Sequence, residues 1–346
     1  MSDTLSPRPG APRAAADPAR PGRPVFGLFE GFALASVLAS LERAGRLERL
    51  EADGVPVDAA ADVHDLDQAA LRYLEQRGIA QRRDGRFVLT DRGREVCRDK
   101  GYLVWLQGGY GHVLGALGEL AAGRARYGVD VVRDGRWVAD GSALIGRDDV
   151  APHAMAVLEA VRFSHVVDLG CGNARFLIAA ARAFGATGVG VDLAPEACAD
   201  AEAAIAAAGL ADRIRVRCGD AGDLAAIPEL ERADLAVAFF LLHEIFEHGR
   251  AALVDYLRTL GARMPAGAHM LVAEVQPATG APDERWRPEF TLLHHVMGQE
   301  LLDADGWHAA FVEAGWARRE VRELGLPGAI LLLYENAAPE RGGKEA

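Results

Sequence analysis

The chain has 346 residues, half of them hydrophobic, which is enough for two domains with substantial cores. Its formal net charge of −12 argues against nucleic acid as the main partner. No apolar run of membrane-spanning length stands out, so no membrane partner is expected. The four cysteines have no metal-binding spacing, which is typical of reduced thiols in the cytoplasm.

Residues 1–24 are rich in Pro, Arg and Ala and lack the apolar segment of a signal peptide, so we predict a disordered tail there. A second short tail is predicted over 338–346. Between residues 25 and 100, the pattern predicts a long apolar helix that stops near Gly45, a second helix, two strands joined at Asp84-Gly85, and a helix from Thr90. Helices followed by a small hairpin predict a winged-helix-like domain.

A winged-helix-like domain can bind DNA or form a dimer. No basic recognition helix stands out and the chain is acidic, so a homodimerisation domain is favoured. Residues 101–150 are predicted to form a helical connector that contains the apolar, aromatic stretch from Tyr102 to Ala122. This stretch either packs as core or roofs a substrate pocket, in which case Trp105 and Tyr110 are candidate lining residues.

The most informative segment runs from Ser164 to Leu193 and predicts a strand, a glycine turn, a helix and a second strand. Gly170 and Gly172 let the backbone approach a ligand closely, and the following helix offers free N–H groups at its N-terminus. Asp192, at the tip of the second strand, can accept both hydroxyls of a ribose. Asp168, just before the turn, would repel a pyrophosphate but can organise a cationic amino acid group through water. The segment therefore predicts a nucleotide-like ligand.

Further strands are predicted to end near residues 217–221, and to cover 233–240 and 269–275. Residues 151–337 are thus expected to form an α/β domain with a mainly parallel, Rossmann-like sheet, behind the N-terminal, mainly helical domain.

The run Asp168-Leu169-Gly170-Cys171-Gly172-Asn173 resembles motif I of class I S-adenosylmethionine (SAM) methyltransferases. The resemblance covers roughly Ala151 to Asn336 and implies the fold of that family, SAM as cofactor and a small-molecule substrate. Segments 317–324 and 328–335 look like the antiparallel hairpin that ends this fold. It also implies a set of cofactor-binding residues: Asp168, Gly170, Gly172, Asn173, Asp192, Leu193, Asp220, Ala221 and Phe239.

Two histidine-bearing segments follow predicted strands of this sheet. His243 and Glu244 come after the fourth strand, and His294 and His295 come after the fifth. Ligands of open α/β sheets bind at the carboxyl ends of the strands, so these side chains can face one site. His243 could act alone as a general base. Alternatively, His243, Glu244 and His294 or His295 form a two-histidine, one-carboxylate set suited to Fe(II) or Zn(II).

The two segments, L-H-E and F-x-x-x-H-x-x-M-G, resemble those of metal-dependent α-keto acid C-methyltransferases. The resemblance implies that His294 rather than His295 takes the ligand position and that Arg133 binds the substrate carboxylate. His295, the neighbour of His294, is expected to lie in or beside the substrate pocket. The expected function is therefore metal-assisted methylation of the β-carbon of an α-keto acid, in natural-product or unusual amino acid biosynthesis. The alternative is O-methylation of a small hydroxylated metabolite with His243 as base.

Overall fold

A computed structural model describes residues 23–58, 65–278, 288–326 and 328–337. The predicted C-terminal tail and residues 1–22 of the predicted N-terminal tail lie outside this range. Pro24, which the sequence pattern assigned to the tail, already begins the first helix.

The N-terminal part combines helices with a small antiparallel sheet in the order β1-β3-β2. Its core is formed by leucines from the helices and by Phe87 from the central strand. Thr90 begins the last of these helices because its hydroxyl accepts a hydrogen bond from Gly93 N. The elements are α1 (Pro24–Arg43), α2 (Arg46–Ala52), β1 (Val55–Pro56), α3 (Leu66–Gln76), β2 (Ala80–Arg83), β3 (Arg86–Leu89) and α4 (Asp91–Arg98).

Helix α1 differs from the sequence-based expectation in one respect. With 20 residues and a mean hydropathy of 1.7 over its most apolar window, it is long and apolar enough to cross a membrane, although the sequence pattern suggested no such run. Its C-terminal half packs Leu38 and Leu41 into the core, and Glu30 pairs with Arg77 at 2.8 Å. The N-terminal half instead exposes large apolar side chains: Val25, Phe26, Leu28, Phe29 and Phe32.

The connector between the two parts is helical but interrupted. The predicted helical stretch 102–122 is divided because a π-helical segment, Val104–Gly109, breaks the regular hydrogen bonding. Gly108 in this segment lies against the Trp137 ring, and a Cβ atom at position 108 would come within 1.8 Å of it. The helices are α5 (Lys100–Leu103), α6 (Tyr110–Gly115), α7 (Leu117–Ala121), α8 (Gly135–Ile145) and, after a second π-helical segment (Gly146–Val150), α9 (Ala151–Leu158).

The C-terminal part is built on a seven-stranded sheet in the order β6-β5-β4-β7-β8-β10-β9. The first five strands in this order are parallel, and the last two are antiparallel. This arrangement confirms the predicted Rossmann-like fold. The strands are β4 (His165–Leu169), β5 (Thr187–Asp192), β6 (Ile214–Cys218), β7 (Leu235–Phe239), β8 (His269–Val275), β9 (Trp316–Glu323) and β10 (Ala329–Asn336).

Helices cover both faces of this sheet, and apolar side chains form a core on each face. The strand order reverses between β4 and β7, and a crevice opens at such a point beside the carboxyl ends of the strands. The helices are α10 (Arg175–Phe184), α11 (Pro195–Ala207), α12 (Leu242–Phe246), α13 (Arg250–Arg263), α14 (Pro288–Val296) and α15 (Ala304–Glu313).

Candidate active site

The glycine turn after β4 has the backbone conformation that its sequence requires. Gly170 has a φ of 76°, and its N–H donates to Val191 O at 2.8 Å, which joins the turn to β5. Ala174, where the resembled motif has its third glycine, has a φ of 56° and is fully buried. An L residue in this left-handed region costs roughly 1–2 kcal/mol, so the turn keeps its shape at a conformational cost.

Asp192 ends β5 and its carboxylate faces the glycine turn. One oxygen accepts a hydrogen bond from Gly172 N at 2.8 Å, and the other accepts one from Ala194 N at 3.0 Å. These bonds fix the orientation of the carboxylate. Asp220, after β6, is held in the same way by Gly222 N at 2.7 Å.

A cleft of about 980 Å³ opens between the carboxyl ends of the strands and the connector. Three of the predicted cofactor-binding residues, Asp168, Gly172 and Asn173, do not line it directly and belong to β4 and the turn beneath it. The remaining six line the cleft: Gly170, Asp192, Leu193, Asp220, Ala221 and Phe239.

Asp168 is buried at the end of β4 with only 4% of its surface exposed. Burial, with a smaller contribution from the charge of Asp192, raises the pKa of Asp168 to about 7. A buried carboxyl group therefore lies beneath the cleft, and its ionised form favours a positively charged ligand group as a neighbour.

His243 is buried in the short helix α12, directly after β7, and is oriented by Glu274 of β8. The Glu274 carboxylate accepts hydrogen bonds from Leu242 N at 2.7 Å and from His243 Nδ1 at 2.8 Å. Glu274 is fully buried, and its charge outweighs the effect of burial and raises the pKa of His243. Glu274 was not among the residues predicted from the sequence, where its only signal is that of a single acid within the apolar run of β8.

His294 lies in α14 beside His243, with the two ring centroids 5.2 Å apart and the rings nearly perpendicular. Its Nδ1 donates to Phe290 O at 2.7 Å, and burial, together with the charge of His243, lowers the pKa of His294 to about 4. His294 is therefore neutral at physiological pH, with the Nε2 lone pair available. His295, which the sequence placed at the substrate pocket, is exposed, because the next residue of a helix points about 100° away.

Arg133 and Glu244 pair across the cleft, at 2.9 Å between Nη2 and Oε1. Arg133 precedes α8 in the connector, and Glu244 follows His243. This pairing differs from the prediction that Glu244 is a metal ligand, because the Glu244 carboxylate is bound to the guanidinium of Arg133. Within the described residues, no group of three or more His, Cys, Asp or Glu side chains is arranged to hold a metal ion.

The predicted pocket residues Trp105 and Tyr110 pack against each other, with ring centroids 4.6 Å apart and ring planes tilted by 52°. Tyr110 is buried and hydrogen-bonds to Arg133, while Trp105 also packs on Phe290 at 5.1 Å. Phe290 lies one helical turn before His294, and its carbonyl oxygen accepts the hydrogen bond from His294 Nδ1. A second cavity of about 580 Å³ is lined by Trp105 and Phe290 among others.

Comparison with known proteins identifies the family of this chain. Residues 166–261 match the family model described as a methyltransferase domain. The chain is 28% identical over 272 residues to indolepyruvate C-methyltransferase from Streptomyces griseus, a match that covers 77% of this chain and 79% of the relative. This chain is a class I SAM-dependent methyltransferase.

Solved structures share the fold of this methyltransferase along most of its length. An O-methyltransferase family protein from Burkholderia thailandensis superposes with a TM-score of 0.65 and 18% identity, covering 92% of this chain and 98% of that chain. A structure titled PigF with SAH superposes with a TM-score of 0.60 and 19% identity, covering 92% and 99%. These structures show that the fold is shared, and the cleft described above lies at the switch point of its sheet.

Proposed function

We propose that this methyltransferase transfers the methyl group of SAM to the β-carbon of an α-keto acid. The observation that carries the proposal is the proximity of a cation and two imidazoles. The His243 and His294 rings lie 5.2 Å apart, and Arg133, which lines the cleft, pairs with Glu244, the residue after His243. The printed name of the Streptomyces griseus relative, an indolepyruvate C-methyltransferase, supports it, since indolepyruvate is an α-keto acid. SAM would be bound by the nine cofactor-binding residues predicted from the sequence, which include the glycine turn, Asp192 and Asp220.

Arg133 is suited to bind the carboxylate of the acceptor. Its guanidinium can form two parallel hydrogen bonds to a carboxylate. Glu244, its present partner, has 41% of its side chain exposed, so the pair contributes little stability and can be replaced at low cost. Tyr110 keeps the guanidinium in place during the exchange. The acceptor would then lie with its reacting carbon toward the methyl group of SAM, and catalysis would rest on positioning.

The two histidines fit a divalent metal. Each ring engages its Nδ1, His243 with a carboxylate and His294 with a backbone carbonyl, which is the arrangement that fixes metal-binding histidines with a free Nε2. When bound, Fe(II) or Zn(II) would act as a Lewis acid toward the keto oxygen. His243 and His294 would hold it, while Glu244 stays with Arg133 until the acceptor binds.

A second candidate function is O-methylation of a small hydroxylated metabolite. It is favoured by the His243–Glu274 pair, because a histidine held by a buried carboxylate is well suited to accept a proton from a hydroxyl group. In this case His294 would only line the pocket.

Metal analysis and a substrate panel separate the two candidates. Purified enzyme is assayed with α-keto acids and with phenolic acceptors, with and without excess chelator, and its metal content is measured. We expect methylation of a keto acid, loss of activity with chelator and recovery with Fe(II) or Zn(II). His294→Ala should lose metal while it still binds SAM, whereas the exposed control His295→Ala should keep both. Activity on phenols alone, undiminished by chelator, would favour O-methylation.

We also propose that the methyltransferase is a homodimer that buries the exposed half of α1. The apolar side chains in this half recur at helical spacing and form one patch, and large exposed patches of this kind are typical of interfaces. A second copy of the chain is the proposed partner, because the same helix end is available on every copy.

A further inference from the structure

Two cysteines flank the backbone of Asp192. Cys198 lies in the first turn of α11 and is buried, whereas Cys218 ends β6 and is exposed. Cys218 is the direct neighbour of Asp192 in the pairing of β5 with β6. No sequence pattern connects them, because they are 20 residues apart and lack a C-x-x-C spacing.

Hydrogen bonds place both thiols beside the backbone of Asp192 and Leu193. Cys198 Sγ donates to Asp192 O at 3.3 Å, and the same oxygen accepts from Gly219 N at 2.8 Å. Since Gly219 directly follows Cys218, the Cys198 sulfur is kept beside Cys218, and the two thiols interact. Cys218 Sγ also points to Leu193 O, at 3.9 Å.

We propose that Cys198 and Cys218 form a reversible disulfide that weakens SAM binding. The S–S bond forms as the two thiols give up two protons and two electrons. A peroxide takes them up to give water, or a low-molecular-weight disulfide takes them up to give two thiols. The exposed Cys218 meets the oxidant first, and Cys198 then attacks the oxidised sulfur.

The disulfide acts on the cofactor site through Asp192. The Cys198 sulfur would lose its hydrogen and with it the hydrogen bond to Asp192 O. The first turn of α11 would be tied to the end of β6, and the turn from Asp192 to Ala194 lies between them. A displaced Asp192 carboxylate can no longer meet the ribose hydroxyls of SAM in the right orientation.

Burial also determines how fast the bond forms. It raises the pKa of Cys198 to about 12, so very little of the attacking thiolate is present at neutral pH. Oxidation is therefore expected to take minutes to hours and to become faster as the pH rises. Cys171 lies near Cys198 as well, but it is buried in the glycine turn and out of reach of a bulky oxidant.

The test uses the full-length enzyme, oxidised with glutathione disulfide and then freed of reagent. Mass spectrometry of digested protein should show Cys198 linked to Cys218, and calorimetry should show SAM binding about tenfold weaker, as expected for a lost ribose hydrogen bond. Dithiothreitol should restore the affinity. Cys218→Ser should bind SAM normally and be insensitive to oxidant, whereas the control Cys97→Ser, altered in the N-terminal core, should stay sensitive.

Three results would overturn the proposal. One is the absence of a Cys198–Cys218 link after long oxidation at pH 8.5, a pH chosen to favour the thiolate. The second is a link between Cys171 and Cys198 instead. The third is formation of the expected link with unchanged SAM affinity, which would mean that the two thiols do not control the cofactor site.

Discussion

Glu274 controls which nitrogen of His243 carries the proton. Glu274→Gln keeps the size of the side chain and its acceptor for Leu242 N, but it presents an amide N–H to His243 Nδ1. The His243 ring must then accept this hydrogen bond at Nδ1 and carry its own proton on Nε2. A protonated Nε2 can neither bind a metal nor accept a proton from a substrate. We expect kcat to fall by about 10²- to 10⁴-fold.

The same variant should bind SAM as the wild type does and unfold at nearly the same temperature, since the packing is kept. Calorimetry and thermal melting check these two points. An active Glu274→Gln enzyme would mean that the tautomer of His243 does not matter for methyl transfer, and both candidate functions would lose their support.

Asp168 should make SAM binding depend on pH. Its pKa of about 7 in the free enzyme means that it is protonated in mild acid, and only its anion attracts the cationic amino acid group of SAM. SAM affinity should therefore fall as the pH drops from 8 to 6, by up to about tenfold per unit. Calorimetry in buffers of different ionisation enthalpy should detect proton release on binding near pH 6. In Asp168→Asn both effects should vanish.

The raised pKa has the opposite consequence for the stability of the free enzyme. A carboxyl with a folded-state pKa above its unfolded value binds the proton more tightly when folded, so stability is lost as the pH rises from about 4 to about 7. Asp168→Asn should remove this loss. Denaturant titrations at pH 5 and pH 8 measure the free energy of unfolding of the wild type and of Asp168→Asn. If this free energy changes equally between the two pH values in both proteins, the assignment to Asp168 is wrong.

At the scale of elements, the exposed half of α1 is the feature most open to a direct test. Replacing Phe26 and Phe29 by Glu puts two charges into the proposed dimer interface, where burying them would cost several kcal/mol. We expect light scattering to report a dimer for the wild type and a monomer for the double variant. Val312→Glu, an equally drastic change at an exposed position of α15, should leave the dimer intact. A wild-type monomer, or recovery of the protein with membranes, would contradict the proposed partner.

Elements were predictable from sequence where local chemistry specifies them. The glycine turn, the aspartate at the tip of β5 and the apolar runs of β7 and β8 identified the sheet, because each signal lies within a few residues. The break of the connector at Val104–Gly109 was not predictable, since it depends on contacts with α8. Glu274 was missed because one acid in a strand is also compatible with a solvent-facing position.

Contacts between residues that are far apart in the sequence were also not predictable. The sequence suggested that Arg133 binds a carboxylate and that Glu244 binds a metal, yet they contact each other across 111 residues of chain. Nothing in either local segment indicates this partner. The pairing of His243 with His294 could be expected, because both follow neighbouring strands whose carboxyl ends lie on one edge of the sheet.

At the scale of the whole molecule, the pair between Arg133 and Glu244 joins the connector to the sheet across the cleft. Arg133→Gln should raise the KM for the keto acid by about 10- to 100-fold, as expected for a charged hydrogen bond. SAM affinity should not change. In the matched control, Glu244→Gln, the competing partner of Arg133 is weakened, so the KM should stay equal or fall. A KM that rises equally in both variants would show that the pair matters for structure rather than for binding the acceptor.

The contact of Gly108 with Trp137 restricts how this sequence can diverge. The indole ring occupies the space where any side chain at position 108 would start, so a substitution there is incompatible with Trp137. A smaller residue at position 137 would open that space but leave a void against the π-helical segment. Substitutions at positions 108 and 137 therefore depend on each other. A library that randomises both positions at once should recover functional combinations that neither single-site library contains.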